Sequence, residues 1–506
     1  MLHGIIRFSI KNKLIIGLLT LGLIIWGVFA ATKLPIDAVP DITNNQVLVI
    51  TSAPSLGAPD VERFITVPIE QATRNVPDII EQRSFSRFGL SLVTIVFNDN
   101  TDVYWARQQV SERLVQVQQQ IPAGLGVPSL GPLTTGLGEI FQYVVKAKPG
   151  YEGKYNLAAL RDIQDWVIRR QLLGTDGIAD VSSFGGEVKQ YEVAVNTDKL
   201  NSFQLTISDV FKALNENNQN TGGAYIERGP NVLFIRSEGL VQNLNDIGSI
   251  VVKKHNGNVP VLIRDVAEVK FGKAIRYGAT LYNGEGEVAG AVVMMLKGEN
   301  SNKVIGKVKS KIKEIEKSLP EGVMIEPFLD RTKMVNNAIG TVEKNLLEGA
   351  LIVIFVLVLF LGNFRAGLVV ASVIPLSMLF AIILMNAFGV SGNLMSLGAL
   401  DFGLLVDGAV IIVEAVMHKL THHSGFKEAT KINQHQMDVE VEGSAGKMMN
   451  SAVFGQIIIL IVYLPILSLQ GIEGKMFKPM AQTVSFAIIG AFILSLTYVP
   501  MMTALF

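Results

Sequence analysis

Three carboxylates stand in a place where a protein chain ordinarily carries none. The run Asp401-Phe-Gly-Leu-Leu-Val-Asp407-Gly-Ala-Val-Ile-Ile-Val-Glu414 falls in the apolar stretch 394–417, which is long enough to cross a bilayer as one helix. A charge at mid-bilayer costs roughly 2.5–3.5 kcal/mol on insertion scales, so acids there are expected to have a partner or a task. A carboxylate in that setting can take up a proton from one side of the membrane and release it to the other, tying proton flow to a conformational change. At about 100° per residue, Asp407 and Glu414 share one helix face, about 20° apart and roughly 10 Å apart along the axis. Asp401 is expected about 120° round from Asp407 on the same helix. Asp407, Asp401 and Glu414 are therefore the proton-relay candidates, although Glu414, one turn before His418, is also placed for an ion pair at the membrane surface.

The elements that position these acids are legible from hydropathy. Six runs have spanning length, 14–31, 346–362, 367–388, 394–417, 451–469 and 481–505, and the one other acid among them is Glu348, near the outer end of the second. None of the six contains Lys, Arg or His, so the counter-ion to the buried acids is expected from sequence outside this chain. The chain's end at Phe506, on the edge of a helix, reads the same way, as a truncation. The first run is too long for a signal-peptide core, and Thr32-Lys33-Leu34-Pro35 is no cleavage site, so it is expected to stay as a helix. With alternating helices, Arg7, Lys11, Lys13, Arg365, Lys419, Lys427, Lys431 and Lys447 share one side, against Lys475 and Lys478 in the short loops of the other. That bias places the N-terminus in the cytoplasm and residues 33–340 outside, in the periplasm of a Gram-negative cell.

Residues 33–340 read as a mixed, aqueous sequence. Extended segments at 46–51, 80–87 and 91–97 alternate with helical ones at 59–74 and 102–120, a βαββα order of the split-βαβ type. The pattern recurs with a strand at 141–148, a helix at 157–173 and strands near 178–183 and 190–195. Residues 185–273, rich in turn pairs such as Gly222-Gly223, Gly229-Pro230 and Asn256-Gly257, interrupt this second copy. It resumes with a strand at 287–296 and a helix at 303–318. The expected fold is thus a polytopic α-helical membrane protein with a large α+β insert of two ferredoxin-like subdomains and a projecting subdomain. The boundaries expected are 1–32 for the N-terminus and first span, 33–135 for the first subdomain, and 136–184 with 274–330 for the second. The projecting subdomain takes 185–273, and 331–506 holds the remaining spans with a cytoplasmic loop at 418–447.

Composition agrees. The 506 residues are 49% hydrophobic and 17% charged, with a mean hydropathy of +0.38, which is membrane-protein territory. Lys+Arg and Asp+Glu balance at 44 each, so there is no field to draw nucleic acid. No cysteine is present, which excludes disulfides and thiolate metal sites. No nucleotide loop, His-Glu-x-x-His or nucleophile elbow occurs, and an enzyme is not expected.

Together these residues resemble the resistance-nodulation-division exporters and, within them, the heavy-metal efflux branch. The resemblance covers the whole chain and rests on Leu34-Pro-Ile-Asp-Ala-Val-Pro-Asp-Ile42, Asp60-Val-Glu-Arg-Phe-Ile-Thr-Val-Pro-Ile-Glu70, Ala106-Arg-Gln-Gln-Val-Ser-Glu-Arg113 and the Asp401 to Glu414 run. It implies the first of two repeats of a proton-driven inner-membrane pump, a secondary transporter without a cofactor. It further implies a homotrimer, embedded in membrane lipid, that meets a periplasmic adaptor and an outer-membrane channel and carries a metal cation. A lysine of the second repeat would partner the acid matching Asp407, and the principal substrate residues would lie in that repeat. Residues 185–273 would be the docking subdomain, with a hairpin around 219–235 reaching a neighbouring protomer. Leu405 and Val406 before Asp407 are similar to the cobalt, zinc and cadmium exporters, where copper and silver relatives carry methionine. Drug or lipid export, or the role of a protein-secretion relative, are the alternatives within the resemblance.

Other residue groups have plainer readings. His418, His422, His423 and His435 with Asp438, Glu440 and Glu442 have metal-ligand chemistry, yet read as a solvated connector. Met378, Met385, Met395, Met448, Met449, Met501 and Met502 read as core packing rather than a thioether path.

Overall fold

The computed structural model describes residues 2–505 apart from 36, 38, 123, 256–258, 399 and 423–432. The Asn256-Gly257 turn, His423, Lys427 and Lys431 lie outside the described residues.

Two four-stranded antiparallel sheets share one topology. In the first the order is Ile79–Arg87, Leu90–Phe97, Gln46–Ser52 and Ser129–Leu130. In the second it is Ile178–Gly185, Ala289–Met295, Glu139–Ala147 and Val323–Asp330. In chain order both are βαββαβ, with the second strand at one edge and the last at the other. Alternation along each strand drives this. Val47, Val49, Val93 and Ile95 turn inward from the first sheet onto Val61, Ile65, Ile69, Ala106, Val110 and Val117 of its helices. In the second sheet Val145, Val181, Ala291 and Val293 meet Leu160, Ile168, Val304, Ile305, Val308 and Ile312.

Each first helix carries a π turn in its middle, at Glu62–Thr66 and at Gln164–Ile168. Pro68, which lacks an N–H, contributes to the first of these. Both π turns press a polar residue onto the sheet. Thr66 Oγ1 lies 2.8 Å from the hydroxyls of Ser86 and Ser91, while Gln164 Oε1 accepts from the buried Tyr143 hydroxyl at 2.9 Å. Burial pushes the Tyr143 phenol well above its ordinary value. Gln164→Leu leaves that phenol without an acceptor at no gain in volume, and is expected to cost about 1–3 kcal/mol. Thermal unfolding of the purified protein reads this as a lower Tm, while the exposed Gln118→Leu leaves it unchanged.

Two strand assignments differ from expectation. Lys189–Val195 does not join the second sheet; it pairs with Ala267–Lys273 at the base of the projecting subdomain. The second sheet takes Val323–Asp330 instead, against Glu139–Ala147. The projecting subdomain adds the hairpin Thr221–Arg228 and Asn231–Ser237, every residue of which is exposed.

Among the described residues five helical segments are long and apolar enough to cross a membrane: Lys13–Lys33, Phe364–Ala387, Leu394–Thr421, Gln434–Leu467 and Gly471–Thr503; the third joins the short helix Leu394–Gly398 to Phe402–His422. The remaining expected run, 346–362, falls on the helix Arg331–Leu361. Asp330, the last residue of the second sheet, caps that helix by accepting from Thr332 N–H at 3.0 Å. Gly362, at φ +60°, ends it in the left-handed conformation that glycine adopts without strain. Small residues let helices approach: a Cβ on Gly27 would stand 2.6 Å from Leu379 Cβ.

Among the described residues of the loop expected at 418–447, all but Asn433 are helical. Phe402–His422 runs past its start and Gln434–Leu467 begins before its end. Ion pairs hold these extensions: Lys419 with Glu440, Lys13 with Asp438 at 2.7 Å, and Arg7 with Glu442 at 3.5 Å.

Candidate functional site

Of the three acids, two share a helix. Phe402–His422 buries Leu405, Val406, Ala409, Ile412, Val413 and Val416 in the main apolar core. Asp407 and Glu414, two turns apart, stand on the opposite, exposed face. Among the described residues no Lys, Arg or His lies within ion-pair distance of Asp407.

Asp401 is a correction. It does not lie 120° round the same helix but precedes it, and its Oδ1 accepts the backbone N–H of Gly403 at 2.8 Å. The chain forms a separate short helix at Leu394–Gly398 and turns before Phe402. An aspartate at that turn satisfies a helix-start N–H and places negative charge at the positive end of the dipole.

Directly behind Asp407, Gly408 faces the helices Gln434–Leu467 and Gly471–Leu496. A Cβ on Gly408 would stand 2.5 Å from Gln456 Nε2 and 3.0 Å from Ser495 Oγ. Gln456 is 3% and Ser495 1% exposed, and among the described residues neither of those atoms has a hydrogen-bond partner. Neither residue is ionisable, so a count of charges within the spans does not find them; a glutamine inside the run 451–469 is the signal in the sequence.

The other candidates are not brought together. Asp438, Glu440 and Glu442 are engaged by Lys13, Lys419 and Arg7. Among the described residues no group of three or more His, Asp or Glu has metal-binding geometry. Met449 lies in the main core and Met385 in a separate cluster with Leu34 and Val390, whereas Met448 is exposed.

An apolar helix bundle, a pair of matched sheets with a projecting insert, and carboxylates on one membrane helix can be set beside known proteins. The sequence pattern of the AcrB/AcrD/AcrF family matches residues 5–506. The chain is 46% identical over 513 residues to the cation efflux system protein CzcA of Alcaligenes sp. (strain CT14), covering 100% of this chain and 48% of that protein. It is 37% identical over 506 residues to the cation efflux system protein CusA of Escherichia coli (strain K12), covering 99% of this chain and 48% of the relative. A crystal structure of a heavy metal efflux pump superposes with a TM-score of 0.85 at 34% identity, over 98% of this chain and 48% of that one. The chain spans about half the length of the curated relatives it matches. The chain therefore belongs to the AcrB/AcrD/AcrF family, the resistance-nodulation-division transporters, and is similar to their heavy-metal efflux pumps.

Proposed function

We propose that this chain is one repeat of a proton-driven exporter of heavy-metal cations in the inner membrane, with residues 33–340 in the periplasm and six spans in the bilayer. The observation that carries this reading is Asp407, a carboxylate on a membrane helix whose other face is locked into the bundle. Protonation of such a group changes the charge a helix carries across the low-dielectric interior, and so changes which packing is favoured. Asp407 is the principal proton carrier, Glu414 extends the relay along the same face, and Asp401 acts at the helix start. A lysine of a second repeat supplies the counter-charge to Asp407.

Each turnover moves a cation outward from the periplasm or membrane through the two sheet subdomains, 33–135 and 136–184 with 274–330. The subdomain 185–273, with its exposed hairpin, docks against a neighbouring protomer in a homotrimer. An adaptor protein and an outer-membrane channel complete the route. The process is secondary active transport and requires no cofactor; the metal is cargo. Leu405 and Val406 beside Asp407 favour a divalent cation over copper or silver.

The test is cellular metal content in a pump-deficient Gram-negative host expressing the complete reading frame with its adaptor and channel. Zinc, cobalt, cadmium, nickel, copper and silver are compared with a dye panel. Lowered content of one or more divalent metals is the expected result. Protection against dyes or detergents alone would transfer the protein to the drug-exporting branch.

A further inference from the structure

The segment leaving the first membrane helix and the helix returning to the membrane after the sheets meet at one side chain. Arg331 is the first residue of the helix Arg331–Leu361 and only 8% exposed. Its Nη2 donates to Asp37 Oδ1 at 2.9 Å, in the segment between Lys13–Lys33 and Gln46–Ser52. Its Nη1 donates to the carbonyl of Leu137, in the connection between the two sheets. Asp37 in turn holds the membrane bundle. Its backbone N–H donates to the Gly392 carbonyl at 3.0 Å, and the Gly392 N–H donates to the Pro35 carbonyl at 3.0 Å. The next residue, Asn393, accepts from Ser396 N–H at 2.9 Å and so starts the short helix Leu394–Gly398, which leads into Asp401 and the carboxylate helix.

Direct contacts therefore run from Gly392, just before the short helix Leu394–Gly398 that leads to the carboxylate helix, through Asp37 and Arg331, to the connection between the two sheets. A guanidinium fork with its two arms on different segments tolerates little relative movement, since hydrogen bonds weaken steeply outside their distance and angle range. A shift of either segment by about an ångström or more breaks one arm, which makes the junction a two-position element rather than a spring. A second tie between membrane and sheet runs from Lys475 to Asp99 at 2.7 Å, to the Thr43 carbonyl at 3.2 Å and to Asn44 Oδ1 at 3.4 Å; its acid is half exposed and the ion pair is expected to add little. A buried ion pair is in itself poor evidence for stability, and its best-attested use is to fix register between elements.

We infer that Asp37 and Arg331 are positioning residues of transport: a latch that transmits displacement of the carboxylate helix to the sheet subdomains. This rests on the transport reading above, and the experiment separates the two. The pump, expressed from the complete reading frame, is reconstituted in liposomes under an imposed pH gradient. The metal that the wild type exports in cells is the probe, and metal and proton movement are recorded together. Arg331→Lys keeps the charge but cannot reach both acceptors, and Asp37→Asn keeps the shape but removes the charge.

The expected result is a fall of about tenfold in metal moved per proton in both variants, the scale of coupling between directly contacting groups, with proton entry persisting and oligomeric state by size exclusion unchanged. A metal-to-proton ratio equal to wild type in both variants overturns the latch, whether or not the overall rate falls, because a purely structural pair lowers both fluxes together. A wild type that moves no metal overturns the transport reading and the latch with it.

Discussion

Asp407→Asn is expected to abolish metal export while the protein reaches the membrane at wild-type level. Asparagine has the shape of aspartate and is far cheaper to bury as a neutral group, so folding is not threatened. It cannot take up and release a proton, so one position of the helix is left without its trigger. The expected loss in initial export rate is about 100-fold or more, the scale on which removal of a proton-transfer group acts. Cellular metal content in the host used for the substrate panel reads it directly, with membrane abundance checked by immunoblot. The same experiment ranks the three acids. Asp401 caps a helix through its Oδ1, and asparagine caps as well as aspartate, so Asp401→Asn is expected to export nearly as the wild type does. Glu414→Gln falls between them. Metal content as low with Asp407→Asn as with the wild type would remove Asp407 from the proton path and leave the bundle's driving force to be sought elsewhere.

That ranking depends on a detail which hydropathy could not supply. Apolar composition locates a span because spanning length is set by the bilayer, and the runs 14–31, 367–388, 394–417, 451–469 and 481–505 accordingly fall on helical segments. It says nothing of where a helix pauses inside the span. The break between Leu394–Gly398 and Phe402–His422 turns Asp401 from a face residue into a cap, yet both arrangements have the same hydrophobicity. The sheets show the complementary limit. Strands with near neighbours in sequence, such as Ile79–Arg87 beside Leu90–Phe97, are readable from alternation and an intervening turn. Lys189–Val195 reads as part of the second sheet because its true partner, Ala267–Lys273, lies at the far end of the projecting subdomain. Arg331 and Asp37 are 294 positions apart, and no periodicity brings such residues together. Family resemblance carried the identity of the region, whereas packing alone carries Gly408, Gln456 and Ser495.

Gly408→Val is the second substitution expected to have a large effect, and it acts by volume rather than charge. The Cβ that alanine would add lies 2.5 Å from Gln456 Nε2 and 3.0 Å from Ser495 Oγ. Both are side-chain tips, and a glutamine end can swing by about an ångström, so Gly408→Ala is expected to lower export only moderately. Valine adds two branches where Gln456 and Ser495 are almost wholly buried, and one swing no longer relieves both contacts. Overpacking of this kind costs about 1–3 kcal/mol, and here the strain falls on the residue next to Asp407, pushing the carboxylate helix off its neighbours. Export is expected to be lost and the Tm of the purified protein lowered. The cause is identifiable by compensation: Gln456→Ala removes the side chain that valine would strike, so Gly408→Val/Gln456→Ala is expected to regain most of the Tm and part of the export. Full activity of Gly408→Val alone would mean that the carboxylate helix does not pack on the helices bearing Gln456 and Ser495 during transport. Recovery of Tm without recovery of export would separate the two roles of this contact, showing that Gln456 acts on the helix that carries Asp407 in a way that filling space does not replace.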